Sequence, residues 1–202
     1  MTRRRLMDVA LAAIDEWLDA RRMRVQLSAV GQIGIGCRLG RDVELISPEC
    51  MSFGELIRIG SRSRIQAVRV YRGCSYAPTI RVGSRTSFEN DCHVAAAGSV
   101  EIGNDVLVAG GVFISDHVHE HQDIGLPVVE QPLRVGSVII GDGSHIGEHA
   151  AVFGSLTVGE HAVIGANAVV TSDVPAFTVV AGAPARVISR FSPDAGRWVR
   201  VG

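Results

Sequence analysis

Aliphatic residues recur every six positions at Ile140, Ile146, Val152, Val158, Ile164 and Val170, and glycine follows four of them, at 141, 147, 159 and 165. Neither the 3.6-residue period of a helix nor the two-residue alternation of an ordinary strand produces this spacing. It predicts a repeating coil of short strands, with each aliphatic pointing inward and the next residue turning a corner. Glycine at that next position reads as a corner residue that tolerates positive φ. Two positions before each aliphatic stand Val138, Ser144, Ala150, Leu156, Ala162 and Ala168, which strand alternation places on the same inward side. The core is therefore narrow and stacked, as in a solenoid.

Ile33, Leu39, Leu45, Met51 and Ile57 keep the same spacing; Ile59 and Ile65 follow in a shifted register; Ile102, Val108 and Ile114 resume it. The solenoid is expected from about residue 30 to about residue 175. Before it, Leu6, Val9, Ala10, Ala13, Trp17 and Leu18 recur at helical spacing among charges of both signs. They predict a surface helix that packs on a neighbour, with a membrane-surface helix as the competing reading. The expected domains are an N-terminal helix over 1–26, a β-helix domain over 27–191 with a loop at 115–136 inserted in it, and a loosely held tail over 192–202. The fold class is all-β.

Composition suits this reading: 23 glycines, 47% hydrophobic residues and 5% aromatics fit a thin core of Val, Ile and Ala. A net charge of −1 argues against a nucleic-acid partner, which would need a basic stripe. Cys37, Cys50, Cys74 and Cys92 have no CxxC spacing and read as buried free thiols. Asp8, Asp15 and Glu16 interrupt any signal-like segment and no long apolar run exists, so no integral membrane segment is expected and the cytoplasm is the default location.

Between Ile114 and the restart at Val138 the repeat fails, and the interruption carries three of the seven histidines, His117, His119 and His121. Loops at solenoid corners are where function concentrates. In an extended segment the three histidines would share one face. One chemistry open to them is zinc binding, with His93 or a neighbouring subunit completing the shell; the other is general base catalysis on a hydroxyl, with Asp116 or a backbone carbonyl fixing the tautomer. No GxSxG elbow and no cysteine in the loop offers a nucleophile, so direct transfer between two bound substrates is the simpler reaction.

The stretches VLVAGGVFISDHVHEH (106–121) and IIGDGSHIGEHAAVFGSLTVGEHAVIGANAVVTSDVPAFTVVAGAPARVISRF (139–191) resemble the hexapeptide-repeat O-acetyltransferases of the galactoside, maltose and exopolysaccharide group. The resemblance implies a left-handed parallel β-helix, a homotrimer with active sites between subunits, acetyl-CoA as co-substrate without a metal, and a sugar or cell-surface polysaccharide precursor as acceptor. The catalytic histidine falls on His117, with His119 in reserve. Acceptor-orienting positions fall on Asn90 and Asp91, which could equally be corner-turn residues. Cofactor-contacting positions fall on Gly147, Gly165, Ala166, Thr171, Ser172 and Arg186, and backbone amides at Gly147 or Glu148 would hold the oxyanion. Two positions depart from the group: His145 replaces the aromatic that flanks the acceptor or thioester, and Ser172 replaces a common lysine. The alternatives are a γ-carbonic-anhydrase-like zinc protein on the same fold and an amino-sugar N-acetyltransferase.

Overall fold

A computed structural model describes residues 17–201. The predicted helical positions Leu6, Val9, Ala10 and Ala13 lie outside the described residues; residues 17–28 are helical. This helix closes the open end of the solenoid: Gln26 Nε2 donates to the Val43 carbonyl at 3.0 Å and Asp19 pairs with Arg41 at 3.0 Å. The coils follow from Gln32, forming two parallel sheets of six strands and a third of nine, parallel except for its last two strands. Face A begins with Gln32–Ile33, face B with Arg38–Leu39 and face C with Glu44–Ile46. Each coil visits A, B and C in turn, in a left-handed parallel β-helix.

The inward positions are as the repeat predicts. Ile140, Ile146, Val152, Val158, Ile164 and Val170 are sealed, as are Val138, Ser144, Ala150, Leu156, Ala162 and Ala168 two positions before them. The N-terminal half differs. Met51 pairs with Ile80, and Phe53 pairs with Ile33 and Val82, so Met51 and Ile57 occupy the preceding inward site, and Phe53, Ile59 and Ile65 continue the series begun by Ile33. The physical reason is the corner between faces C and A. There the 3-10 turn Pro48–Cys50, or longer face C strands such as His93–Ala96, take up two extra residues. Eighteen residues separate Val138 from its partner Leu156, but twenty separate Ile80 from Val100. A count of six therefore crosses from one inward site to the other wherever the extra pair intervenes.

The glycines also have a different cause from the one expected. Positive φ falls on the third residue after the aliphatic, at Asp42, Leu56, Arg62, Arg85, Asp91, Asp105, His149, His161 and Asn167, and not on the glycine that follows it directly. That glycine is required by the neighbouring coil. A Cβ on Gly83 would lie 2.5 Å from the carbonyl carbon of Gly103 and 2.6 Å from Asn104 N. Stacked parallel strands leave no room for a side chain at this point.

Two departures concern the edges. The tail expected over 192–202 is not free over its described residues 192–201: Arg197–Arg200 pairs antiparallel with Arg186–Ser192, which itself extends face B, and Phe191 packs on Trp198 at 5.7 Å. The cysteines are not uniformly buried. Cys92 lies in the core, where burial pushes its thiol up to about 11, whereas Cys74 is exposed.

The two causes of corner strain make opposite predictions. Gly83→Ala forces backbone against backbone and should destabilise by about 1–3 kcal/mol. Leu56→Gly relieves a left-handed residue with an exposed side chain and should be neutral or stabilising by up to about 1 kcal/mol. Chemical denaturation of both variants checks the pair.

Candidate active site

Phe113–Ser115 ends face C of the fourth coil, and the chain then leaves the solenoid. His117–His119 and Leu133–Val135 form an antiparallel ribbon that carries the inserted loop out and back. Asp116 is the joint of this ribbon and is fully buried. Its Oδ1 accepts from Ala97 N at 2.8 Å, its Oδ2 accepts from Gly98 N at 2.7 Å, and its carbonyl accepts from Gly136 N at 2.7 Å. The carboxylate thus replaces the backbone partners that the departing strand no longer supplies. Gly98 is small because a side chain there would strike the Gly136 carbonyl and Val135.

The same carboxylate holds His117. His117 Nδ1 donates to Asp116 Oδ1 at 2.8 Å, and the imidazole is 13% exposed. Ser115 Oγ lies 3.3 Å from Nδ1 and donates to the His117 carbonyl at 2.9 Å. With Nδ1 occupied as donor, the lone pair sits on Nε2, the arrangement a general base requires. His119 shares the ribbon face by alternation and meets Tyr71 edge to face at 5.2 Å. His121 lies past the strand, where its Nδ1 approaches the His119 carbonyl at 3.3 Å. The three histidines do not converge, and among the described residues no three His, Cys, Asp or Glu side chains form a metal-holding group.

His93 neighbours this site on face C, its ring 5.4 Å from Phe113. Its Nε2 is buried without a partner among the described residues. Burial, then Arg64 and then His117 hold its pKa below the ordinary histidine value.

The other sequence-assigned positions fall in separate places. Asn90 and Asp91 occupy the corner between faces B and C, where Asn90 Oδ1 accepts from Ser61 N at 2.8 Å and Asp91 pairs with Arg62 at 2.6 Å. The Arg62 hydrogen bond holds the Asp91 carboxyl below the usual carboxylate range. Gly147, Glu148, Gly165 and Ala166 stack at that same corner in later coils. There a Cβ on Gly147 would lie 2.6 Å from Ala166 N, and the Glu148 carbonyl accepts from Asn167 N at 2.8 Å. Thr171, Ser172 and Arg186 come together, lining a groove of about 400 Å³ at the end of the solenoid. His145 sits on face B between Leu107 and Val163, away from the corner that carries His117, with Nδ1 buried and without a partner among the described residues.

Sequence reading passed over a second insertion. Val70–Tyr71 and Cys74–Ser75 form a hairpin that leaves the same corner two coils before the histidine loop. Tyr71 Oη donates to the Val129 carbonyl at 3.1 Å, Arg72 Nε donates to it at 2.8 Å, and Leu133 N donates to Tyr76 Oη at 2.9 Å. The signal was available: the repeat fails between Ile65 and Ile80 around an Arg72-Gly73 turn.

No family model matches the chain. It is 36% identical over 113 residues to a putative lipopolysaccharide biosynthesis O-acetyl transferase, WbbJ, of Escherichia coli, covering 52% of this chain and 58% of that protein. It is 31% identical over 153 residues to a probable acetyltransferase of Mycobacterium tuberculosis, covering 74% of this chain and 48% of that one. The chain thus spans about half the length of the curated relatives it matches. Among solved structures, the Bacillus cereus N-acyltransferase AntD, in complex with dTDP-4-amino-4,6-dideoxyglucose and coenzyme A, superposes with a TM-score of 0.72 at 15% identity, covering 85% of this chain and 90% of that one.

The coils and the structural likeness define a hexapeptide-repeat fold, a left-handed parallel β-helix with an inserted loop. The chain is also similar to the galactoside O-acetyltransferase of Escherichia coli, 32% identical over 119 residues, covering 56% of this chain and 55% of that one.

His93 yields a pH prediction. A depressed folded-state pKa means that the unfolded chain binds the proton more readily, so stability is fully present above the unfolded value of about 6.5 and declines as pH falls below it. His93→Gln should flatten the fall in Tm between about pH 7 and pH 5, as read by thermal scans at matched ionic strength.

Proposed function

We propose that the protein is an acetyl-CoA-dependent O-acetyltransferase whose acceptor is a sugar or a cell-surface polysaccharide precursor. The observation that carries this reading is the Asp116–His117 pair: a sealed carboxylate fixes the imidazole, and Nε2 is unclaimed among the described residues. In the reaction, Nε2 takes the proton of an acceptor hydroxyl as its oxygen attacks the thioester carbonyl. The tetrahedral oxyanion then collapses with cleavage of the C–S bond, and the CoA thiolate recovers the proton from the imidazolium. Backbone amides at Gly147 or Glu148 are the proposed oxyanion donors.

Thr171, Ser172 and Arg186 line one groove, which supports placing the polar and phosphate parts of CoA there. His119 is the reserve catalytic group; Asn90, Asp91 and His145 remain the proposed acceptor contacts. All three lie away from His117 within one chain, so a role for them in the same site requires a neighbouring subunit. Ile124, Leu126, Val128 and Val129 are exposed on the loop, and an apolar stretch of this kind favours burial against a second copy, in keeping with a homotrimer whose active sites lie between subunits. An N-acyltransferase acting on an amino sugar is the second reading, favoured by the AntD superposition and compatible with the same base.

Acetyl-CoA-dependent thiol release over a panel of sugars and amino sugars tests the activity. On the acceptor so identified, His117→Ala should lower turnover by about two to four orders of magnitude while acetyl-CoA affinity holds. Unchanged turnover would remove His117 as the base. Separately, acetyl-CoA should raise the Tm of the unmutated chain by linkage, and Arg186→Ala should shrink that shift while leaving the ligand-free Tm in place.

A further inference from the structure

The Tyr71 and His119 rings stand edge to face at 5.2 Å and 62°, on the side of the ribbon that also carries His117. His119 is exposed and Tyr71 half-buried. The Tyr71 hydroxyl is engaged at Val129, and the same carbonyl takes a second hydrogen bond from Arg72, whose guanidinium lies 3.6 Å from Glu130. The hairpin and the histidine loop therefore brace each other. With its hydroxyl engaged at Val129, what Tyr71 has left to offer a ligand is the ring.

We infer that Tyr71 and His119 form a wall against which the acceptor ring lies, making Tyr71 a specificity-determining residue for cyclic saccharides. This rests on the reading of His117 as base. A pyranose presents C–H bonds on its faces and hydroxyls around its rim. An aromatic wall takes such a face while leaving a rim hydroxyl free to reach the imidazole. An open-chain alcohol has no comparable face and gains little from the wall. The brace to Val129 also keeps Tyr71 in place before the acceptor arrives, so its ordering adds little to the entropic cost of binding.

The chain contains two tyrosines, so ring-labelled tyrosine gives two ring signals in NMR spectra, and Tyr71→Phe assigns them. Maltose, methyl β-galactoside and methyl glucosaminide are titrated onto the CoA-saturated full chain, with glycerol as the open-chain control. At least one saccharide should move the Tyr71 signal while Tyr76 stays in place, and glycerol should move neither. Calorimetry should show Tyr71→Ala weakening that saccharide about tenfold and Tyr71→Phe, which keeps the ring, staying within about twofold. If no saccharide moves the Tyr71 signal, or if Tyr71→Ala binds as tightly as the unmutated chain, the wall is overturned. Tyr71→Phe guards against loss of the fold as an explanation. Because the readout is binding, it fails independently of the base assignment: a His117→Ala chain with full acetyl transfer overturns the base even where the Tyr71 shift persists.

Discussion

The distance between stacked coils governs this molecule. Parallel strands sit about 4.8 Å apart, and every coil must keep that spacing at each corner as well as along each face. The inner corner positions therefore admit hardly more than a glycine: at Gly83, Gly141 and Gly147 a single added carbon would meet backbone atoms of the next coil at 2.5–2.6 Å. The outer corner residues accept left-handed φ instead, and polar side chains there accept from an amide of the preceding coil, as Asn90 does from Ser61 N and Asn104 from Ser84 N. Regular stacking leaves little freedom for a functional group inside the repeat, which is why chemistry has to be inserted between coils.

The corner between faces C and A is where the stack gives way. It already accommodates two extra residues in the N-terminal coils, and it is the exit point for both the 70–75 hairpin and the histidine loop. Departure of the chain would strand the amides of Ala97 and Gly98. The Asp116 carboxylate bonds both and uses one of the same oxygens to hold His117. One buried group thus closes the gap in the solenoid and orients the imidazole. Removing its charge would loosen the corner and the base together, so the precision of the proposed site derives from the regularity of the coils beneath it.

The solenoid was legible because its period is long, repeated and expressed in side chains that end up sealed. Ile140 to Val170 could be assigned inward one by one. The phase change at Met51 could not, since a residue count does not register where a corner absorbs two positions. The glycines were recognised as obligatory but for the wrong reason: the requirement comes from the neighbouring coil, a contact between residues about eighteen or twenty positions apart. The run of histidines left His117, His119 and His121 level; the family resemblance singled out His117, with Asp116 or a backbone carbonyl as the group to fix its tautomer, and the structure shows the Asp116 carboxylate bonded to His117 Nδ1. The C-terminal strand Arg197–Arg200 and the Tyr71 hairpin were missed because short two- and four-residue strands carry almost no periodic signal of their own.

The misses share a cause that bears on function. A repeat protein advertises what it repeats, and its non-repeating parts are recognisable mainly as interruptions. Here both interruptions leave one corner, and hydrogen bonds from Tyr71, Arg72 and Leu133 tie them together across 57 or 58 residues of sequence. The hairpin leaves the solenoid two coils before the loop and is bonded to it at Val129, while His117 is held by Asp116. The acceptor side of the proposed site is thus framed by two insertions anchored to different coils, and variation in either one could change the acceptor without disturbing the stack that positions the base.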